Sequence, residues 1–215
     1  MTRRGLLDAA RRLAARDRDL RRILRTHGPP PLWARRPGFR TLIRIILEQQ
    51  VSLASARAIF LRLARGVVPF TPGRFVELGS AHLRSLGLTR QKAAYCVDVA
   101  KAVERGRIDL EAVAGMDDAG VGSALTRLKG VGPWTAQVYL LMALRRPDVW
   151  PSGDIALVQA VRRVKGLRSS ASPERVARLA ESWRPFRSVA ARMMWQDYLA
   201  DRASGGGATA ARGRA

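Results

Sequence analysis

Apolar residues along this chain recur every three or four positions, which is the spacing of one face of an α-helix. Stripes of this kind run from the start of the chain almost to its end, over residues 6–14, 39–46, 93–103, 155–164 and 176–183. No segment shows a sustained two-residue alternation with β-branched side chains, which is the pattern of a strand. The sequence therefore predicts an all-α fold.

A glycine-rich turn within the sequence LKGVGPWTAQ departs from this pattern. Gly130 and Gly132 bracket Val131, and glycine permits positive φ angles and the close approach of another molecule at both positions. Pro133 suits the first position of a helix, because the N–H that it lacks would have no partner there. The residues that follow are apolar on nearly every side. The pattern predicts two helices joined by a hairpin at about residues 120–145, with the second helix buried.

Several motifs surround this turn and have a definite order. After a short loop comes PSGDIAL, whose acid is Asp154, and FRTLIRIILEQQVSLASA (39–56), LGLTRQKA (86–93) and WRPFRSVA (183–190) stand elsewhere in the chain. Together they resemble the helix-hairpin-helix, Gly-Pro-Asp family of DNA glycosylases, and within it the 3-methyladenine DNA glycosylase II branch. The resemblance covers about residues 20–201. It implies a two-lobed helical glycosylase fold with a helix-hairpin-helix motif and the active-site cleft between the lobes.

We expect the chain to divide into two lobes and a tail. Residues 1–36 and 148–203 would form one discontinuous lobe, and residues 37–147 a central lobe that carries the hairpin. The last residues, 204–215, read SGGGATAARGRA. This small, Gly-rich and basic composition predicts a disordered tail.

The charge of the chain indicates a polyanionic partner. Lys and Arg number 39 against 17 Asp and Glu, which gives a net charge of +22. Such a chain binds nucleic acid through counterion release, although an arginine-rich proteome would raise the charge of any protein. Together with the resemblance, the charge makes double-stranded DNA containing a damaged base the expected partner, bound by a monomer.

The single cysteine, Cys96, limits the chemistry of the chain. It excludes internal disulfides and any multi-cysteine metal site, and so the iron–sulfur cluster of relatives of the endonuclease III type. Its neighbours Tyr95 and Val97 predict an ordinary buried thiol. No apolar run approaches membrane-spanning length and no signal peptide is visible, so we expect no membrane association and a cytoplasmic, nucleoid-associated protein.

The resemblance makes Asp154 the catalytic residue. Breaking an N-glycosidic bond passes through a cationic sugar, which a fixed carboxylate stabilises while it orients or deprotonates the attacking water. An isolated Asp before an apolar helical stripe is more often only the N-cap of that helix. The glycine hairpin upstream, which is part of the resemblance, favours the catalytic role for Asp154. Asp148 also lies close in the sequence, and the resemblance makes it a structural loop residue.

The hairpin is expected to hold DNA without reading its sequence. Backbone N–H groups around Gly130, Val131 and Gly132 can bind a phosphate directly, or through Na⁺ or K⁺ at the backbone of the two glycines. Thr135 begins the next helix and Lys129 adds a positive charge at the same place. The alternative is a plain corner between two helices. We expect no other cofactor and no metal held by side chains.

Two adjacent glutamines, Gln49 and Gln50, stand in the loop of the motif EQQVS. In the family this loop faces the DNA minor groove, and the residue at the position of Gln50 enters the gap left by an extruded base. A glutamine there can fill the stack and can hydrogen-bond to the orphaned partner base. We therefore predict DNA contacts for both residues.

The base pocket is predicted from four positions. Trp134 and Trp195 match aromatic residues that flank the extruded base in the branch, although both could equally be core residues. An alkylated purine carries positive charge, which the electron-rich face of tryptophan attracts. Val138 and Ile155 stand where the best-known members carry tyrosine, which leaves the range of lesions open.

The resulting hypothesis is a monofunctional glycosylase of base excision repair. It would flip out alkylated purines of the 3-methyladenine type, hydrolyse the N-glycosidic bond and leave an abasic site. Glycosylases that also nick DNA use a lysine, which in the family follows the second hairpin glycine by two residues. This chain has Trp134 there, and Lys129 precedes the first glycine. The alternatives are a non-catalytic helix-hairpin-helix DNA-binding protein and a glycosylase for another damaged base.

Overall fold

The computed structural model describes residues 1–205, and every regular element among them is helical, as the sequence predicted. The disordered tail was predicted for residues 204–215, of which residues 206–215 lie outside the described residues. Among the described residues, no helix combines the length and the apolar character that a membrane crossing requires. A 3₁₀ turn covers Glu181–Trp183, and the α-helices are α1 Arg3–Arg16, α2 Arg18–His27, α3 Phe39–Glu48, α4 Leu53–Gly66, α5 Pro72–Ser85, α6 Arg90–Glu104, α7 Leu110–Gly115, α8 Asp118–Thr126, α9 Pro133–Met142, α10 Ile155–Val164, α11 Pro173–Ala180 and α12 Arg187–Ala203.

The helices divide into two compact units. Among the described residues, one unit consists of Met1–Trp33 together with residues 145–205, and it contains α1, α2 and α10 to α12. The other unit, Ala34–Leu144, contains α3 to α9 and is called the central unit below. The chain crosses between the units after residues 33 and 144, whereas the boundaries expected from the sequence followed residues 36 and 147.

Helix α9 lies in the interior of the central unit. After its first residue only Trp134 and Gln137 are partly exposed, and the other side chains are buried. The hydroxyl oxygen of Tyr139 accepts the backbone N–H of Gly38 at 2.7 Å, and burial raises the pKa of Tyr139. The predicted buried helix is therefore confirmed, although it ends at Met142 and not near residue 144.

In the unit formed by the two ends of the chain, Asp17 joins α1 to α2. Its Oδ1 accepts the N–H groups of Asp19 and Leu20 at 3.0 and 3.2 Å and so caps α2. Lys165 Nζ donates to both carboxylate oxygens at 2.7 and 2.8 Å, and Trp183 Nε1 donates to Oδ2 at 2.8 Å. Burial favours the neutral acid, but these donors outweigh it and lower the pKa of Asp17.

Candidate active site and nucleic-acid interface

The predicted hairpin lies between α8 and α9, and its two glycines have different roles. Gly130 has a φ angle of +84°, and a Cβ at this position would lie 2.2 Å from Cγ of Tyr95, so only glycine fits. Gly132 has a φ of −91°, so it does not adopt the positive φ that glycine permits. Apart from Gly132 and its two chain neighbours, no residue among those described has an atom within 4 Å of a Cβ placed on Gly132, so its surface is open.

The backbone of the hairpin presents donors. Over residues 1–205, no acceptor is paired with the N–H of Gly130 or of Gly132. Gly132 is the N-cap of α9 and supplies no side-chain cap. The positive end of the helix dipole lies at the same place, which suits an anion such as a phosphate.

Gln49 connects the end of α3 to this hairpin. Its amide Nε2 donates to the carbonyl oxygen of Gly130 at 2.9 Å and to Oγ1 of Thr135 at 2.8 Å. Thr135 is only 1% exposed, so its hydroxyl supports the hairpin from inside the protein and does not face a ligand as expected. Gln49 is partly exposed, so its predicted contact with DNA stays a prediction, whereas the buried hydroxyl of Thr135 is engaged within the central unit.

A lysine of α6 supports the same turn. Lys92 Nζ donates to the carbonyl oxygens of Leu47 at 2.7 Å and Gln49 at 2.8 Å. These carbonyls lie at the C-terminal end of α3, where no intrahelical donor is available. Burial lowers the pKa of Lys92, and the nearby Cys96 acts in the opposite direction. Cys96 itself is buried, as predicted, and burial raises its pKa to about 12.

A groove of about 460 Å³ opens beside the hairpin in the central unit. Gln50 lies at its rim, is exposed, and has a positive φ of +55°, which is uncommon for a residue with a side chain. The groove is lined by Gln49, Gln50, Gln91, Lys92, Tyr95, Thr126, Leu128 and Gly130–Gly132. The ammonium of Lys129 is 3.8 Å from Asp98, and its side chain is 73% exposed, so its charge faces solvent.

In the other unit, Asp154 stands at the start of α10. Its Oδ1 accepts the N–H of Leu157 at 2.8 Å and the indole N–H of Trp195 at 3.2 Å. The first bond makes Asp154 the N-cap of α10, and the second holds the carboxylate beside an aromatic ring. Asp154 is therefore the N-cap that the sequence indicated, and its carboxylate also contacts Trp195.

A second tryptophan lies against Trp195. The rings of Trp33 and Trp195 are 6.4 Å apart between centroids and meet edge to face at 65°. Trp33 has a φ of +44°, a strained conformation for an aromatic residue, and is partly exposed. Arg192 Nε donates to the carbonyl oxygen of Leu32 at 3.1 Å, which fixes the backbone just before Trp33.

Asp148 is a structural loop residue, as the sequence indicated. Its Oδ1 accepts the backbone N–H of Arg187 at 3.1 Å and Nε of the same residue at 3.0 Å. Arg184 Nη1 donates to its other oxygen at 3.1 Å. The carboxylate of Asp148 thus organises the start of α12.

The sequence of the chain matches a known family. The family model described as "HhH-GPD superfamily base excision DNA repair protein" matches residues 43–185, which is more than half of the chain. The chain belongs to this superfamily.

Two relatives of this superfamily member match most of the chain at 27% sequence identity. The putative DNA-3-methyladenine glycosylase YfjP of Bacillus subtilis is 27% identical over 182 residues, which cover 81% of this chain and 63% of that protein. DNA-3-methyladenine glycosylase 1 of Schizosaccharomyces pombe is 27% identical over 200 residues, covering 89% of this chain and 87% of that protein. The chain thus spans less than two thirds of the length of the Bacillus relative.

A solved structure shows the same fold as this superfamily member. The S. pombe 3-methyladenine DNA glycosylase Mag1, in complex with abasic DNA, superposes with a TM-score of 0.80 at 25% sequence identity. The superposition covers 88% of this chain and 95% of that chain. The all-α glycosylase fold expected from the sequence is therefore confirmed.

The predicted base-pocket residues of this superfamily member differ in accessibility. Trp134 and Trp195 are partly exposed, and Ile155 is 69% exposed beside Asp154. Val138 is 3% exposed in the interior of α9, and its place in the base pocket stays a prediction.

Three residues around these sites have structural roles that were not predicted from the sequence. Lys92 belongs to the quoted motif LGLTRQKA, but a lysine on a helix is usually a solvated charge. Tyr95 follows three residues later, and only its contact with Gly130 reveals why that glycine is required. Trp33 stands in a proline-rich connection, where no local pattern indicates its contact with Trp195.

Proposed function

We propose that this protein is a monofunctional DNA glycosylase that removes alkylated purines of the 3-methyladenine type from double-stranded DNA. The observation that carries the proposal is the pair of Asp154 and Trp195, in which the indole N–H orients the carboxylate at 3.2 Å. Membership of the superfamily and the names of the relatives support the same reaction. The product would be an abasic site for base excision repair.

Asp154 would act on the sugar of an extruded nucleotide. As the bond between C1′ and the base nitrogen breaks, its electron pair leaves with the base and positive charge develops on the sugar. The carboxylate stabilises that charge, and water adds its oxygen to C1′ while its proton passes to the carboxylate and then to solvent. An alkylated purine is cationic and departs as a neutral base, so no strong general acid is required.

Trp195 would have two tasks in this reaction. Its N–H fixes the Asp154 carboxylate, and its electron-rich face attracts a cationic base. Trp33 stands edge-on to the Trp195 ring, at 6.4 Å between ring centroids. Trp134 belongs to α9 in the central unit, and its predicted place beside the base remains part of this proposal.

The hairpin would hold the DNA backbone. The N–H groups of Gly130 and Gly132 would bind a phosphate, and Lys129 would add its exposed charge. The open surface at Gly132 has room for Na⁺ or K⁺, which would be held by backbone oxygens of the hairpin and would neutralise part of the phosphate charge. Gln50 would enter the gap left by the extruded base.

A duplex with one alkylated purine tests the proposal. We expect the purified chain to release the modified base, measured by chromatography, and to leave an alkali-labile abasic site. Borohydride added during turnover should trap no covalent protein–DNA adduct, because Trp134 occupies the position of the strand-cleaving lysine. Binding without base release would favour a non-catalytic DNA-binding protein, and an adduct in good yield would contradict the monofunctional assignment.

The lesion range is a second question that the same assay answers. Ile155 is 69% exposed where the best-known members of the branch carry tyrosine, so the pocket has one aromatic wall fewer. A cationic alkylpurine departs as a neutral base without a general acid, whereas a neutral lesion needs a proton donor that compensates for the poorer leaving group. We therefore expect faster release of cationic alkylpurines than of neutral lesions such as ethenoadenine. The reverse order would make this a glycosylase for another damaged base. Sedimentation with and without DNA checks the proposed monomer.

A further inference from the structure

The turn that displays Gln50 is held from two sides. The carbonyl oxygen of Gln49 accepts from Lys92 Nζ at 2.8 Å, and the side chain of Gln49 donates to Gly130 at 2.9 Å. Lys92 also binds the carbonyl of Leu47 at 2.7 Å. The residue before Gln50 is thus fixed through both its backbone and its side chain.

Gln50 needs such support. Its φ of +55° lies in the left-handed region, which side-chain-bearing residues adopt only when their surroundings impose it. The side chain of Gln50 is exposed, so its own packing cannot impose the conformation. The bonds to the neighbouring Gln49 are the contacts that hold this backbone.

The ammonium of Lys92 is not placed as a phosphate ligand. It is partly buried, with two carbonyl oxygens at hydrogen-bond distance, while Lys129 in the same region is 73% exposed. Burial lowers the pKa of Lys92, which fits an internal contact better than a surface one.

We propose that Lys92 is a positioning residue for Gln50. It would hold the Gln49–Gln50 turn in the conformation that fills the gap left by an extruded base, and Gln49 would tie that turn to the phosphate-binding hairpin. This inference rests on the proposed function. A turn ordered before binding avoids the entropy cost of ordering it on the DNA, so Lys92 acts through Gln50 and not on the DNA itself.

A double-mutant cycle tests whether Lys92 acts through Gln50. Lys92→Met removes the ammonium and keeps an unbranched side chain, and Gln50→Ala removes the inserted group. Single-turnover base release should slow by about tenfold in Lys92→Met, yet by less than about twofold when the same change is made in Gln50→Ala. Fluorescence of a 2-aminopurine placed next to the lesion should show the same non-additivity in base extrusion.

Lys101→Met is the matched control. It removes the same charge from the same helix α6, at a distance of about 14 Å along the axis, and should leave base release unchanged. Gln49→Met provides a second route if Lys92→Met fails to fold, because it breaks the bond to Gly130 and leaves Lys92 intact. Its effect should also vanish in the Gln50→Ala background.

The salt dependence of binding separates positioning from phosphate contact. Lys92→Met should leave the log–log slope of affinity for an undamaged duplex unchanged, whereas loss of a phosphate contact would reduce it by about 0.9. Additive effects in the cycle, a reduced slope, or wild-type rates in Lys92→Met would overturn the inference. If the wild-type chain and Lys101→Met both release no base, the proposed function itself fails and the inference fails with it.

Discussion

At the scale of single residues, the carboxylate of Asp154 has a structural and a proposed chemical task. Its Oδ1 caps α10 through Leu157 and accepts the indole N–H of Trp195. An Asn side chain caps helices about as well as Asp but carries no charge. The two tasks can therefore be separated by a single substitution.

We expect Asp154→Asn to lower base release by about 10²-fold or more, because the charge acts only in the transition state. Affinity for DNA should change little, and the melting temperature should stay close to that of the wild type. Single-turnover kinetics, fluorescence anisotropy and thermal melts measure the three quantities. Comparable activity of the mutant would remove Asp154 from the mechanism.

The proposed catalytic role of Trp195 can likewise be separated from a structural role by substitution. Trp195→Ala should reduce kcat/KM for a cationic alkylpurine by about 30-fold, the equivalent of a desolvated cation–π contact of ~2 kcal/mol. Trp195→Phe keeps an aromatic face, loses the bond to Asp154, and should retain more activity. If Trp195 is only a core residue, the melting temperature of the alanine variant should fall first, since truncating a buried aromatic costs about 3–5 kcal/mol.

At the scale of elements, the hairpin before α9 contains one glycine that the fold requires and one glycine whose surface is accessible to a ligand. Gly130 is forced by its φ of +84° and by the ring of Tyr95, whereas Gly132 has an ordinary φ of −91° and no neighbour among residues 1–205 near its Cβ position. The turn therefore needs its first glycine to fold, and the second leaves room for a ligand.

Alanine at the two positions should give different results. Gly130→Ala should lower the free energy of unfolding by about 1–3 kcal/mol or more, because the backbone strain adds to the clash with Tyr95. Gly132→Ala should leave the melting temperature nearly unchanged and weaken DNA binding, because its Cβ would occupy the surface proposed for the phosphate. A Gly132→Ala variant with wild-type affinity would contradict the hairpin as the phosphate-binding site.

The junction between α1 and α2 gives a pH-dependent prediction. The pKa of Asp17 is lowered in the folded protein, since its bonds to Lys165 and Trp183 outweigh the effect of burial. The stabilisation is therefore present above the unfolded pKa of about 4 and is lost as the pH falls through the folded pKa. Asp17→Asn should lower the melting temperature at pH 7, and the difference from the wild type should shrink below pH 4. A constant difference across this range would contradict the assignment.

At the scale of the whole molecule, the charge of +22 dominates any encounter with DNA. Counterion release makes the affinity depend on salt, whereas the Asp154 chemistry contributes to the transition state and not to encounter. The affinity for DNA should therefore depend on the salt concentration, whereas the rate of base release from bound DNA should depend on Asp154.

We expect affinity for an undamaged duplex to fall linearly with salt on a log–log scale, by about −0.9 for each phosphate neutralised. Asp154→Asn should give the same slope as the wild type, because it leaves the basic surface intact. Anisotropy titrations between about 50 and 200 mM salt measure both slopes. An affinity that does not change with salt would contradict a DNA-backbone clamp.

The sequence by itself determined the features that depend on neighbouring residues. Helical periodicity predicted the all-α fold, the apolar run after Pro133 predicted the buried helix α9, and the quoted motifs indicated the family. The N-cap role of Asp154 also follows from local pattern, since it requires only the residues that start α10. Rules of this kind act over a few positions and can be read along the chain.

The tertiary structure alone decided which distant residues meet. Gln49 and Gly130 are 81 positions apart, and Asp154 and Trp195 are 41 apart, so no periodic pattern relates them. The same holds for Lys92 and the end of α3, and for the ring of Tyr95 that makes Gly130 obligatory. The physical reason is that a buried donor or acceptor must find a partner wherever packing brings one, and only the folded chain shows which partner that is.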